Sequence, residues 1–177
     1  DKCAGLIIND NSKLTVWREG ELFDLIVGDP PYGVRAGAKK VGKKQKKKES
    51  KPIPEVCLEP HIPQCIPYAM DEVLIDLVLF AAKTLQVGGR LVYWLPTTVD
   101  YKDSDVPLHP CLKLLANSEQ PLSGIFRRRL ITMEKINPFD EEMQNINMAE
   151  YNEKQYSPAH QNFAVKYTGD KKRKQFQ

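Results

Sequence analysis

An acid, two prolines, an aromatic ring and a glycine stand in a row at Asp29-Pro30-Pro31-Tyr32-Gly33, directly after the apolar run Phe23-Asp24-Leu25-Ile26-Val27-Gly28. A short apolar run bounded by turn residues reads as a buried strand. The prolines stop it, because they donate no backbone hydrogen and fix the local backbone. In open α/β sheets, ligands bind outside the carboxyl ends of the strands. There, a carboxylate on Asp29 and a barely mobile carbonyl on Pro30 can accept both hydrogens of a planar amino group. The Tyr32 ring can stack on the base that carries it. Asp-Pro-Pro is also an ordinary turn sequence, so the chemistry depends on its context: the strand before it and the glycine after it.

In that context the pentapeptide resembles motif IV of the amino-methyltransferases, Rossmann-like enzymes that methylate exocyclic amines with S-adenosylmethionine. The surrounding elements must then supply an α/β sheet. Ala4 to Ile8 and Leu22 to Val27 read as strands, and Leu14 to Arg18 is ambiguous. Residues 34–67 are lysine-rich, then proline-rich, and read as a long structureless loop, a feature that is functional or disordered where it occurs inside a domain. Asp71 to Leu85 is a helix capped by Asp71, with Leu74, Leu77, Val78, Ala81 and Leu85 on one apolar face. Gly88-Gly89 ends the connection, and Arg90 to Leu95 is a buried strand ended by Pro96. Helix, glycines and strand make half a βαβ unit and imply a parallel sheet. Leu108 to Ala116 reads as a short helix. Glu119 to Leu122 and Arg129 to Glu134 are strand candidates at the distance of an antiparallel pair. A further helix opens at Ser157-Pro158.

The predicted fold class is α/β, a Rossmann-like methyltransferase sheet, mostly parallel with a C-terminal antiparallel pair. Residues 1–137 form the C-terminal half of that domain, and residues 138–177 a polar extension. No glycine-rich turn for the cofactor precedes Asp29, so the N-terminal strands of the sheet are missing. The chain starts with Asp rather than Met, which fits a fragment or a processed product.

The 177 residues carry a net charge of +3, distributed unevenly. Lys39 to Lys51 holds eight lysines and one Glu, and Lys171-Lys172-Arg173-Lys174 adds four more positive charges. The remainder is net acidic, so no uniformly basic RNA-binding face is visible. The two basic segments can attract phosphate non-specifically; a solvated insertion or a localisation signal explains them equally well. No apolar run approaches membrane length. Cys3, Cys57, Cys65 and Cys111 lack a CxxC pair, which favours free thiols in a reducing, cytoplasmic setting. Cys57, His61 and Cys65 have ligand-like spacing but no fourth partner, so no metal is expected.

Several further segments resemble one family. Asp29-Pro-Pro-Tyr-Gly-Val-Arg35, Leu77-Val-Leu-Phe-Ala-Ala82, Gly88-Gly-Arg-Leu-Val-Tyr-Trp-Leu-Pro96, His109-Pro-Cys-Leu112 and Arg128-Arg-Leu-Ile-Thr-Met-Glu-Lys135 are similar to the catalytic subunit of the eukaryotic tRNA guanine N2-methyltransferase, which modifies the guanosine at position ten. The family's amino-terminal THUMP-type RNA-binding domain and the cofactor-binding half are not in this chain. The resemblance implies tRNA as substrate and S-adenosylmethionine as cofactor. It also implies a small zinc-binding activator subunit as partner, at Ala4 to Ile8 as the edge strand.

The resemblance makes Asp29, Pro30 and Tyr32 the catalytic group. Asp29 and Asp10 also meet the cofactor, Asp10 at its adenine amine, although Asn-Asp-Asn is a good turn as well. Pro31, Tyr32, Gly33 and Arg35 contact the substrate; for Arg35, phosphate binding and orienting the loop are equally open. An adenine N6-methyltransferase shares the Asp-Pro-Pro-Tyr chemistry and is the competing enzyme. A truncated, inactive product that only binds a partner or RNA is the competing non-enzyme. Tyr93 and Trp94 are read as core.

Overall fold

The computed structural model describes residues 5–7, 9–13, 17–18, 20–32, 37–42 and 64–144. Its main sheet has four strands in the order β1-β4-β6-β5: β1 Phe23–Gly28, β4 Leu85–Thr98, β5 Leu112–Pro121 and β6 Phe126–Lys135. Two short strands, β2 Ala38–Val41 and β3 Cys65–Tyr68, pair antiparallel in a second sheet. One long helix, α1 Met70–Thr84, feeds straight into β4, and a single turn, α2 Glu141–Gln144, follows β6.

β1 and β4 are parallel, as the half βαβ pattern predicts. The β4–β6 and β5–β6 ladders are antiparallel. Among the described residues the sheet is therefore mixed α/β, with one parallel and two antiparallel ladders rather than mostly parallel. The fold fits a methyltransferase-like sheet at that level.

α1 forms where its apolar spacing predicts. Leu74, Val78 and Ala81 are fully buried and pack into one core with Leu91, Tyr93 and Leu95 of β4 and Ile131 and Met133 of β6. Burying each of the larger side chains is worth about 1.5–3 kcal/mol. The helix begins one residue earlier than expected, and Asp71 is inside it rather than at its cap. The Ala69 N–H instead donates to the Glu72 carboxylate at 3.2 Å. Both acids of the first turn face the positive end of the helix dipole. Trp17, Phe23 and Phe80 form an aromatic cluster with centroid separations of 5.3–6.1 Å.

Four further expectations need correction. Leu108 to Ala116 is not a helix: Leu112 to Ala116 belong to β5, where a ladder running from Leu112↔Lys135 to Pro121↔Arg127 outweighs local helical spacing. β4 extends through Pro96 to Thr98. β1 has already ended opposite Tyr93, so among the described residues no strand pairs with that edge of β4 at Pro96, and proline is tolerated on an edge. The stretch 34–67 is not structureless at its ends, which zip together as β2 and β3. The expected strand Ala4 to Ile8 is not formed by its described residues: Gly5, Leu6 and Ile7 belong to no strand, and among the described residues β1 is at the edge of the sheet instead. The rest of the lysine run beyond Gly42, and the helix after Ser157, lie outside the described residues.

Gly88 and Gly89 sit inside β4 at the point where its register with β1 jumps from Phe23↔Leu85 to Leu25↔Arg90. Gly88 has φ +87°, and a Cβ on Gly89 would come within 2.9 Å of the Gln86 oxygen and 3.0 Å of the Asp24 oxygen. Both positions therefore require glycine, one for conformation and one for space.

Candidate active site

Because β1 and β4 run parallel, they deliver their carboxyl ends to the same side of the sheet. The last register pair is Gly28↔Tyr93, so the next residue, Asp29, comes level with Trp94. Pro30 is buried, Pro31 and Tyr32 are half-buried, and Asp29 is exposed. The turn thus plugs the strand end while leaving its carboxylate accessible.

A third strand contributes to the same place. β6 sets Arg128 opposite Pro96, beyond the end of β1. The Arg128 guanidinium carbon lies 4.1 Å from the Trp94 ring centroid, a cation–π stack. Its Nε donates to Gln120 Oε1 on β5 at 2.6 Å. The Tyr32 hydroxyl oxygen is buried and faces both the Asp29 carboxylate and the Arg128 guanidinium. Burial foremost, then hydrogen bonding to Asp29, raises the phenol above its ordinary pKa, while Arg128 acts in the opposite direction.

The arginines on either side are held differently. Arg129 bonds Glu119 and stacks 3.8 Å from the Tyr101 centroid. Arg127 donates to the Gly124 and Phe126 carbonyls and lies 3.6 Å from Glu119. Arg128 bonds a neutral amide instead.

Asp10 is held by three hydrogen bonds. One of its oxygens accepts from the Val41 N–H at 2.6 Å, and the other accepts from Ser12 N at 3.0 Å and Ser12 Oγ at 2.7 Å. Partial burial opposes ionisation, but these bonds outweigh it and hold the carboxyl below the usual range. Its charged neighbourhood is the second sheet and α1, where Tyr68 bonds Asp76 and Lys40 pairs with Glu72 at 2.8 Å. Asp10 acts on Tyr68 and Asp76.

The structure therefore gathers Asp29, Pro30, Pro31 and Tyr32 at one strand end, and holds Asp10 against Ser12 and Val41. Gly33 and Arg35 lie outside the described residues, as do Cys57 and His61. Cys65 is exposed in β3. Tyr93 is fully buried, as a core reading requires, but Trp94 is half-buried and carries Arg128. Sequence reasoning missed Arg128 and Gln120 as site residues. The only local signal was the arginine run itself.

Along most of its length the chain aligns with proteins described as tRNA (guanine(10)-N(2))-methyltransferase. It is 53% identical over 142 residues to that of Dictyostelium discoideum, covering 80% of this chain and 28% of that protein. This chain is a relative of the tRNA guanine N2-methyltransferases. Identity to the human methyltransferase is 45% over 136 residues, 76% of this chain and 29% of that protein. Identity to the Xenopus laevis methyltransferase is 42% over 170 residues, 95% of this chain and 34% of that protein. The chain thus spans about a third or less of the length of these methyltransferases. No protein-family profile matches it, and no solved structure does. Among the described residues, no helix is long and apolar enough to cross a membrane.

Proposed function

We propose that the protein carrying this chain transfers a methyl group from S-adenosylmethionine to the exocyclic N2 amine of a guanosine in tRNA, in the cytoplasm. The observation that carries this reading is the Asp29–Tyr32 turn at the end of β1, beside a parallel β4, in a chain related to enzymes of that name. A guanine N2 amine is a poor nucleophile because its lone pair is delocalised into the ring. The Asp29 carboxylate accepts one of its hydrogens and the Pro30 carbonyl the other. This aims the lone pair and stabilises the positive charge that grows on nitrogen. Tyr32 stacks on the extruded base, since chemistry on a base requires taking it out of its stack.

S-adenosylmethionine supplies an electrophilic methyl group on a sulfonium. Of the two residues expected to hold it, Asp29 presents an exposed carboxylate at the strand end. Asp10 accepts three hydrogen bonds, from the Val41 N–H, the Ser12 N–H and the Ser12 Oγ hydroxyl. A carboxylate has about four lone-pair sites, so one remains to accept from the adenine amine.

In this reading residues 1–137 are the C-terminal half of a Rossmann-like domain, followed by a polar extension. β1, an edge strand here, becomes an inner strand of a larger sheet. Leu25 and Val27, 55% and 70% exposed, are apolar side chains on one face of β1 that a further layer of the larger domain would cover. A small zinc-binding activator subunit completes the assembly. Leu6 and Ile7, 90% and 62% exposed, are apolar side chains for a partner to cover. Gly33 and Arg35 remain substrate contacts in this proposal.

The test is methyl transfer to unmodified tRNA by the full-length protein with its activator, followed by digestion to nucleosides. N2-methylguanosine is the expected product. N6-methyladenosine instead would sink the assignment.

A further inference from the structure

Arg128 has no part in the chemistry above, yet it reaches the same hydroxyl as Asp29. Its plane is fixed twice, by the Trp94 ring at 4.1 Å and by Gln120 Oε1 at 2.6 Å. With Nε committed to Gln120, its remaining donors are the terminal N–H groups. Tyr32 holds the place between the two charges: its phenol can donate to a carboxylate and accept from a guanidinium. A group that replaces the hydroxyl there must likewise offer a donor towards Asp29 and an acceptor towards Arg128.

The Watson–Crick edge of guanine has that complement, with the N2 amine at one end and the O6 oxygen at the other. Arginine is a common reader of guanine, contacting O6 together with N7 in the DNA major groove. Here a terminal N–H would make the contact to O6 alone. The fixed plane reduces what Arg128 must lose in freedom to make it. We propose that Arg128 is a specificity-determining residue that donates to O6 of the guanine whose N2 amine is held by Asp29. Trp94 and Gln120 position it. The inference rests on the guanine N2 reading and adds what selects the base.

The experiment compares two substrates in the full-length enzyme with its activator. One is tRNA carrying guanosine at the target. The other carries 2,6-diaminopurine there, which keeps the 2-amine but presents an N–H donor in place of O6. The wild-type protein should favour guanosine by about tenfold or more in kcat/KM, the scale of one hydrogen bond to a charged donor. Arg128→Gln should lower kcat/KM on guanosine and bring the preference within about twofold, since an amide can turn to accept or donate.

Should the glutamine variant fail to fold, Arg128→Lys carries the test. Lysine keeps the charge but not the flat fork, and should cut the preference to a few-fold. A variant that slows both substrates equally, leaving the preference intact, overturns the inference; that is the behaviour of a phosphate contact or a packing role. An absent preference in the wild type overturns it as well. Wild-type protein that does not methylate guanosine at all overturns the underlying function too, so the two failures are distinguishable.

Discussion

The Lys135 amino group donates to the Leu85 carbonyl at 2.7 Å, with the lysine side chain entirely shielded from water. This bond ties the last residue of β6 to the first residue of β4. A second bond, to Glu21 Oε1 at 3.1 Å, adds the segment leading into β1. Three chain segments thus meet on one ammonium, at the end of the sheet opposite Asp29. Lys135→Met leaves the Leu85 carbonyl without its charged donor, and a hydrogen bond to a charged group contributes about 1.5–3 kcal/mol. Glu21 is half-exposed and can rehydrate, which limits the total to about 3 kcal/mol. Urea denaturation should show the midpoint falling accordingly. A shift below about 0.5 kcal/mol, the scale of an ordinary surface change, would remove Lys135 from this role.

His109 gives the fold a dependence on acid. Its ring is buried, 1% exposed, and stacks on Phe139 at 5.7 Å, while its Nδ1 accepts from the Cys111 N–H at 3.0 Å. Burial first, and the nearby Lys135 second, lower its pKa to about 4. The unfolded chain binds the proton near the ordinary value of about 6.5. Below that pH the unfolded state therefore holds more protons than the folded one. The stability contributed by neutral His109 is complete above about 6.5 and is lost as the pH falls towards 4. Between pH 7 and pH 5 the loss is about 2 kcal/mol. His109→Asn keeps an acceptor for Cys111 but does not titrate there. Its urea midpoints should lose less stability over that interval than the wild type's; an identical decline in both proteins would point to other groups.

How much of this was legible in the sequence follows from where each signal is stored. β1 and the Asp29 turn were readable because a short apolar run met two prolines, a local signal. α1 was readable from its spacing, which burial on one core face preserves. β5 was misread because Leu112, Leu114 and Leu115 also fit a helix, and only its ladder to β6 decides otherwise. β2 and β3 are four residues each and contain lysines or proline. Their pairing joins Lys40 to Ile66, across a stretch with no regular pattern. Arg128 was invisible as a site residue because its place depends on register: Pro96 must oppose it and Gln120 must lie on the next strand. The antiparallel β5–β6 pair was readable, but the antiparallel β4–β6 ladder was hidden for the same reason.

Gly89→Ala tests whether the β1–β4 junction is as tight as its contacts indicate. The new methyl would meet two backbone oxygens, of Gln86 at 2.9 Å and Asp24 at 3.0 Å. Backbone cannot rotate away as a side-chain tip can, so β1 must move off β4. Overpacking of this kind costs about 1–3 kcal/mol. The same displacement carries Asp29, so methyl transfer should fall more than stability alone predicts, even where the protein is fully folded. Gly28→Ala is the control, because nothing lies within 4 Å of the added carbon. Equal behaviour of the two variants would mean that the junction relaxes freely.

Asp29 and Tyr32 separate by charge and by ring. Asp29→Asn keeps an acceptor oxygen but removes the negative charge that stabilises the developing cation. Loss of one such preorganised group costs about 10²–10³ in kcat, while tRNA binding should stay nearly unchanged. Tyr32→Phe keeps the stacking face and removes the hydroxyl that sits against Asp29 and Arg128. If the hydroxyl only holds the place of the base, the phenylalanine variant should methylate within a few-fold of wild type. Tyr32→Ala removes the ring, and base stacking is worth about 1–3 kcal/mol per base, so kcat/KM should fall roughly 5- to 150-fold. A phenylalanine variant as impaired as the alanine variant would assign the work to the hydroxyl and not to stacking. Full turnover by Asp29→Asn would reduce the Asp-Pro-Pro segment to a turn.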